Sequence, residues 1–187
     1  CIILFSRNVK NIKQLKNLVD SIKHCAKDKN YPIMIDQEGG QVSRLNKIID
    51  LSIFSQKYFG KLYVSDKHNF ENYYKIYINN VCKILNEVGV NINTVPVLDI
   101  CRKNTHSVIG DRSFSSNEEV VTKLGQLCIK LYEKNKIATV TKHIPGHGLS
   151  EIDTHLDLSI IKNKKNELIK KDFKPFKKCK SLFAMTA

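Results

Sequence analysis

The chain has 187 residues, of which 42% are hydrophobic and 26% charged, and this composition indicates one globular domain rather than a disordered or fibrous chain. The net charge is +13, but the lysines are spread through helical and loop segments without a basic stripe of stacking aromatics, so neither nucleic acid nor a membrane surface is predicted as a partner. No apolar run approaches the roughly 20 residues of a membrane-spanning helix.

Five short apolar segments predict the strands of a buried sheet. They span residues 2–5, 32–36, 92–98, 138–142 and 182–187. Near-continuous apolar runs of this length are typical of parallel strands that are covered on both faces.

Helices are predicted between these strands. Apolar residues recur at helical spacing over residues 12–22, 70–88 and 120–131. The third helix is expected to start at Ser116, where Ser-Asn-Glu-Glu matches a capping box with Glu119 reaching back. A weaker helix around Leu168 and Ile169 is expected to end before Pro175.

The alternation of strand and helix predicts an α/β architecture with right-handed crossovers. Residues 46–66 are the least regular part, where we expect a short helix and a loop. Two arrangements remain, an open doubly wound sheet and a β/α barrel, and periodicity alone does not separate them. Neither G-x-G-x-x-G nor G-x-x-x-x-G-K-[ST] occurs, so a nucleotide-binding open sheet lacks its usual motif.

The six cysteines include no C-x-x-C pair, and most lie within apolar patterns as small core residues do. This usage favours a reducing compartment, and therefore the cytoplasm, over a disulfide framework. No signal peptide is visible. Because the chain opens within a predicted strand, we expect that whatever precedes it, including any targeting segment, is missing.

Charged residues collect directly after the predicted strands. Asp36 and Glu38 follow the second strand, Asp99 follows the third, and Lys142 and His143 end the fourth. Sites in parallel α/β proteins are built at the carboxyl ends of the strands. We therefore expect these groups to converge on one face of the protein.

Residues 143–155 first suggest a metal site. This segment contains His143, His147, Asp153 and His155. His143 and His147 have the spacing of zinc ligands on a helix, but Pro145 and Gly146 between them oppose a helix. No metal is predicted here, and no cofactor is predicted for the chain.

Asp153 and His155 are a better candidate pair for chemistry. Two residues apart in an extended loop, their side chains can point to the same side. A carboxylate on one imidazole nitrogen fixes the tautomer, so that the other nitrogen can give and take a proton. The alternative is a capping aspartate and a surface histidine.

Four further residues are candidate contacts for an oxygen-rich ligand. Asp36 can accept two hydrogen bonds from vicinal hydroxyls, and Gly39-Gly40 permits a turn that brings backbone close to a ligand. Arg44 and Arg112 offer planar forks, and Lys142 needs a partner such as a sugar hydroxyl or a carboxylate.

Each of these candidates also has a structural alternative. Asp36 and Arg44 would pair with each other, Arg112 with Asp111 or Asp99, and Lys142 with Asp36 or Asp99.

Four motifs together resemble one family, the glycoside hydrolase family 3 β-N-acetylhexosaminidases. Residues 36–44 resemble its D-Q-E-G-G-x-V-x-R segment, residues 96–99 its P-V-L-D strand, and residues 108–114 its V-I-G-x-R-S-F loop. Residues 142–148 and 153–155 resemble K-H-F-P-G-H-G followed by D-x-H, with Ile144 in place of the usual Phe.

The resemblance implies a (β/α)8 TIM barrel and a retaining mechanism through a covalent glycosyl-enzyme. It further implies that His155 is the acid/base, oriented by Asp153. The residues expected to hold a terminal N-acetylglucosamine are Asp36, Arg44, Arg112, Lys142 and His143. In resembling bacterial enzymes the substrates are cell-wall muropeptides in peptidoglycan recycling.

The family's aspartate nucleophile is expected beyond residue 187. We therefore expect residues 1–187 to be an incomplete catalytic barrel, truncated at both ends and inactive alone. The expected partner is a carbohydrate substrate, and the oligomeric state stays open. Two alternatives remain: a sugar-binding homologue without catalysis, and a phosphorylase with phosphate as acceptor, since histidine repels phosphate less than a carboxylate.

Overall fold

A computed structural model describes residues 1–150 and 159–187. Its strands are β1 (Ile2–Leu4), β2 (Ile33–Ile35), β3 (Ile92–Asn93), β4 (Ala138–Ile144) and β5 (Phe183–Thr186). Its α-helices are α1 (Ile12–Cys25), α2 (Gln56–Ser65), α3 (Lys67–Val88), α4 (Glu118–Lys134), α5 (Lys165–Lys170) and α6 (Lys174–Lys178). Strands therefore form in all five segments where the apolar runs predict them.

The strands form one parallel sheet in the order β1-β2-β3-β4-β5. Each strand lies beside the next one in the chain, and helices connect every successive pair. Among the described residues, one α-helix joins β1 to β2 and β3 to β4, whereas two α-helices join β2 to β3 and β4 to β5. A doubly wound sheet reverses its strand order at a switch point, and this sheet does not. The fold is thus part of a β/α barrel, as the family resemblance implies.

β3 is much shorter than the segment predicted for it. Pro96 has no amide hydrogen and cannot donate to a neighbouring strand. The pairing nevertheless continues past it, because Leu98 N donates to Lys142 O (2.7 Å) and Lys142 N donates to Pro96 O (3.3 Å). This irregular continuation carries the chain to Asp99 at the same edge of the sheet.

The predicted start of α4 is wrong by one residue. Asn117, rather than Ser116, is the N-cap, and its side chain accepts hydrogen bonds from Glu119 N and Val120 N. The predicted capping box with Glu119 therefore does not form. The weaker helix does end before Pro175, as α5, and Pro175 then lies in the first turn of α6, where a missing amide hydrogen is tolerated.

The helices pack their apolar faces on the sheet, and the core lies between them. Leu15 and Val19 of α1, Leu85 of α3 and Leu124 of α4 are buried in one continuous cluster with the strand residues. Within residues 1–150 and 159–187, no helix combines the length and the apolar character that a bilayer crossing requires. This packing leaves the loops after the strands to form the site.

Candidate functional site

The loops at the carboxyl ends of the strands surround a cavity of about 280 Å³, the rim cavity. All five residues expected to hold a sugar line it. They are Asp36, Arg44, Arg112, Lys142 and His143. The sequence separates these residues widely, and the parallel sheet brings them together, as expected for side chains at the ends of neighbouring strands.

Gln37 fixes the loop that carries the first of these residues. Its buried side-chain oxygen accepts hydrogen bonds from Arg44 N (2.9 Å) and Leu45 N (3.0 Å), and Asn93 Oδ1 accepts from Gln37 N (2.9 Å). The amide therefore holds the start and end of the turn together and sets the positions of Asp36 and Arg44.

The double glycine allows this turn to pack closely against its neighbours. Gly39 and Gly40 have φ of 85° and 60°, and a Cβ on Gly39 would lie 2.2 Å from Phe54 O. Only glycine suits that backbone region and that close approach. Gly39 approaches the backbone of the loop before α2, and Gly40 approaches the side chains of Asp111 and Ser55. Their approach to a ligand stays a prediction.

Lys142 is the most buried of the five candidates, with 2% of its surface exposed. Its Nζ lies 2.5 Å from Glu38 Oε1, 2.9 Å from Thr94 Oγ1 and 3.3 Å from Asp36 Oδ1. An ammonium has three hydrogens to donate, and three acceptors surround this one. Of the two partners considered from the sequence, Asp36 does pair with Lys142 and Asp99 does not. Glu38 is the second carboxylate that contacts the ammonium.

Arg112 forms a two-pronged ion pair with Glu38. Its Nε donates to Oε2 at 2.8 Å and its Nη2 donates to Oε1 at 2.9 Å. Nη1 also donates to Val108 O at 3.1 Å. The expected alternative partners of Arg112, Asp111 and Asp99, are therefore wrong, because Glu38 presents two oxygens that match the fork of the guanidinium.

Asp36 and Arg44 do pair, with 3.5 Å between Arg44 Nη2 and Asp36 Oδ2. Thr94 also donates a hydrogen bond to Asp36. Partial burial alone would raise the pKa of Asp36, but the positive charge of Lys142, with the Thr94 hydrogen bond and Arg44, holds it below its ordinary value. Asp36 is therefore an ionised acceptor at neutral pH.

His143 is held by a buried carboxylate on one side of its ring. Its Nδ1 lies 2.6 Å from Asp99 Oδ2, and Asp99 Oδ1 accepts from His147 N at 2.7 Å. The other ring nitrogen, Nε2, lies 3.3 Å from Arg112 Nη2. Asp99 thus orients the imidazole and ties the loop after β4 to the loop after β3.

Within the described residues, no group of three or more histidine, cysteine or acidic side chains is arranged to hold a metal ion. His143 is in β4 and His147 follows in a turn, so the two do not share a helix face, as Pro145 and Gly146 predict. Asp153 and His155, the predicted catalytic pair, lie outside the described residues.

Sequence reasoning missed Thr94, and it expected Glu38 and Asp99 at the strand ends without their actual partners. Glu38 had no predicted partner, and Asp99 was a candidate partner of Arg112 and Lys142 rather than of His143. Glu38 and Asp99 do stand in the two motifs that end strands, which was the available signal. With them the site contains three carboxylates and three cationic side chains, a charge-balanced array suited to a neutral ligand rich in hydroxyl groups.

The pKa of Asp36 predicts a pH dependence of stability. A carboxyl group whose pKa is lower in the folded than in the unfolded state contributes stability above its unfolded value, about 3.9, and this is lost as pH falls through the folded value. We expect Asp36→Asn to lower the melting temperature at pH 7, with the difference from wild type shrinking below about pH 4. Thermal unfolding across a pH series measures this.

Asp20→Asn is the control for that series, since Asp20 forms an exposed ion pair with Lys16. Its effect should be small at every pH. A difference between wild type and Asp36→Asn that stays constant down to pH 3 would contradict the assignment.

Comparison with known proteins gives a consistent set of relatives. Residues 1–182 match the model of the glycosyl hydrolase family 3 N terminal domain. Beta-hexosaminidase A of Pseudoalteromonas piscicida is 33% identical over 178 residues, which cover 93% of this chain and 29% of that protein. The chain spans about half or less of the length of the curated relatives that it matches.

Two solved structures are similar over nearly the whole chain. NagZ from Neisseria gonorrhoeae in complex with N-trifluoroacetyl-D-glucosamine matches with a TM-score of 0.87 and 31% identity, covering 99% of this chain and 55% of that one. A glycoside hydrolase family 3 β-N-acetylglucosaminidase from Paenibacillus matches with a TM-score of 0.85 and 29% identity, covering 99% and 35%.

Proposed function

This chain belongs to glycosyl hydrolase family 3, and from that membership we propose that its gene product is an exo-acting retaining glycosidase that releases terminal β-linked N-acetylglucosamine. The observation that carries this is the convergence of the five candidate residues on the rim cavity. The beta-hexosaminidase relatives support the same activity. Residues 1–187 would then be part of the catalytic barrel.

In the bound state the sugar would lie in the rim cavity with its hydroxyls toward the charged wall. Asp36 is ionised and partly exposed, so it accepts hydrogen bonds from vicinal hydroxyls. Arg44, beside it, donates to a sugar hydroxyl, and the His143 ring donates or accepts according to the hydroxyl that it faces. Arg112 and Lys142 complete the wall. The neisserial structure with N-trifluoroacetyl-D-glucosamine supports an N-acylated glucosamine as the ligand.

The chemistry would follow the two steps of a retaining glycosidase. A carboxylate attacks the anomeric carbon while His155, oriented by Asp153, protonates the departing glycosidic oxygen. His155 then takes a proton from the water that hydrolyses the covalent glycosyl-enzyme. We propose that the nucleophile is an aspartate of the gene product outside residues 1–187, which the greater length of the relatives supports.

The natural substrates would be cell-wall muropeptides carrying N-acetylglucosamine, turned over in the cytoplasm. The state of the cysteines supports a reducing compartment: all six are free thiols, and Cys82, Cys128 and Cys179 are buried in the core. Burial raises the pKa of each of these three to about 12, so they are protonated and unreactive.

The decisive experiment measures hydrolysis by the complete gene product. We expect 4-nitrophenol release from the β-N-acetylglucosaminide, and at least about tenfold less from the β-glucoside, because the lost acetamido group removes binding contacts. NMR of the first product should show the β-anomer. A preparation carrying Asp36→Ala, purified identically, controls for contaminating host enzymes.

Three results would contradict the proposed activity. Binding of N-acetylglucosamine without hydrolysis would indicate a sugar-binding protein. Formation of a sugar phosphate only when phosphate is added would indicate a phosphorylase. Initial appearance of the α-anomer would exclude retention of configuration.

A further inference from the structure

Glu38 has no role in the proposed activity, yet it is one of the most enclosed charged groups of the site. Its side chain is 1% exposed, and both carboxylate oxygens are occupied by cations. Oε2 accepts from Arg112 Nε, and Oε1 accepts from Arg112 Nη2 and lies 2.5 Å from Lys142 Nζ. Glu38 thus lines the rim cavity, but these two cations engage both of its oxygens.

Glu38 joins two chains of contacts that between them contain all five candidate sugar contacts. One chain runs from Glu38 through Arg112 to His143, whose Nε2 lies 3.3 Å from Arg112 Nη2. The other runs through Lys142 to Asp36 and on to Arg44, with Nζ–Oδ1 and Nη2–Oδ2 distances of 3.3 and 3.5 Å. Moving this one carboxylate therefore disturbs both sides of the rim cavity.

The charges explain why a carboxylate is needed at this point. Arg112 and Lys142 are both cations in a largely buried wall, with side-chain exposures of 10% and 2%. Without an anion between them they would repel each other, Arg112 would lose its ion-pair partner, and Lys142 would keep only Asp36. The planar fork of Arg112 also takes its orientation from the two oxygens that it grips.

We propose that Glu38 is a positioning residue of the sugar site, which sets the plane of Arg112 and the position of Lys142 without touching the sugar. This role rests on the proposed function, since its effect is on sugar recognition. A glutamine at this position keeps the size but loses the charge, and its amide group turns donors toward one of the two cations. An aspartate keeps the charge but is one methylene shorter.

The test compares Glu38→Gln and Glu38→Asp in the complete gene product. We expect Glu38→Gln to raise both KM for the 4-nitrophenyl β-N-acetylglucosaminide and the calorimetric Kd for N-acetylglucosamine at least about tenfold, as two charge-assisted donors lose their alignment. Glu38→Asp should recover part of that loss. Exchange of the Arg112 Nε–H with solvent, followed by NMR, should be faster in Glu38→Gln than in wild type.

Glu119→Gln is the matched control, because Glu119 pairs with Lys174 on the exposed side of α4, away from the rim cavity. It should leave KM, Kd and the exchange of Arg112 unchanged. Unchanged KM and Kd in Glu38→Gln would overturn the role of Glu38. The same conclusion would follow if KM and Kd of Glu38→Asp were raised as much as those of Glu38→Gln. Should Glu38→Gln not fold, Glu38→Asp decides: a raised KM with faster Arg112 exchange supports the role, and an unchanged KM overturns it.

Wild-type protein separates this inference from the function on which it rests. If the wild type neither binds N-acetylglucosamine nor cleaves the substrate, the proposed function fails and the positioning role fails with it. If the wild type does both, the ratio of variant to wild type concerns Glu38 alone.

Discussion

Lys142→Met in the complete gene product is expected to lower the free energy of unfolding by about 3–5 kcal/mol at pH 7, the usual effect of removing one partner from a buried ion pair. Methionine fills a similar volume, so the effect comes from the charge. Asp36 would lose its nearest cation, and Glu38 would depend on Arg112 alone. Urea unfolding followed by circular dichroism measures the change, and the sugar Kd of any folded fraction should rise as well.

Lys174→Met provides the comparison. Lys174 also pairs with a glutamate, but that partner, Glu119, is 58% exposed. An exposed pair contributes about 0–1 kcal/mol, so this variant should unfold almost as the wild type does. Equal effects of the two substitutions would contradict a structural role for the buried cation, because burial is the main difference between them.

His155→Ala is expected to reduce kcat by about 10²–10⁴, the usual contribution of a general acid–base, while the Kd for N-acetylglucosamine stays near the wild-type value. The reason is that the imidazole would protonate the leaving oxygen, whereas Asp36 and its neighbours would hold the sugar. The loss should be larger for an alkyl glycoside than for the 4-nitrophenyl glycoside, whose good leaving group needs less protonation.

His68→Ala is the control for this prediction, since His68 is an exposed residue of α3 on the outside of the barrel. Its kcat should match the wild type with both substrates. Near-normal turnover of the alkyl glycoside by His155→Ala would rule out the proposed acid/base, whatever the behaviour of the 4-nitrophenyl glycoside.

The sequence predicts the class of fold well, because the signals that it uses are local. The apolar run that becomes β4 and the helical spacing of Leu15 and Val19 in α1 depend on residues within one or two turns of chain. The family resemblance likewise uses short contiguous motifs, and the five residues taken from them line the rim cavity, while their contact with a sugar stays a prediction.

Which charged residues pair with each other could not be decided in this way. Sequence reasoning expected Arg112 to pair with Asp111 or Asp99, both close along the chain, but its partner is Glu38, 74 residues away. For Lys142 the sequence left Asp36 and Asp99 open, and the structure pairs it with Asp36, 106 residues away, while Asp99 contacts His143. The N-cap of α4 also differs by one residue from the predicted Ser116, because the side chain of Asn117 accepts the hydrogen bonds of the first helical amides.

By itself, then, the sequence determined the alternation of strands and helices, the apolar faces and the residue types that follow each strand. The strand order, the barrel rather than an open sheet, and the pairing of each buried charge were decided by the tertiary structure. The physical reason is that periodicity arises from neighbours along one element, whereas an ion pair at the strand ends depends on how parallel strands are ordered and registered.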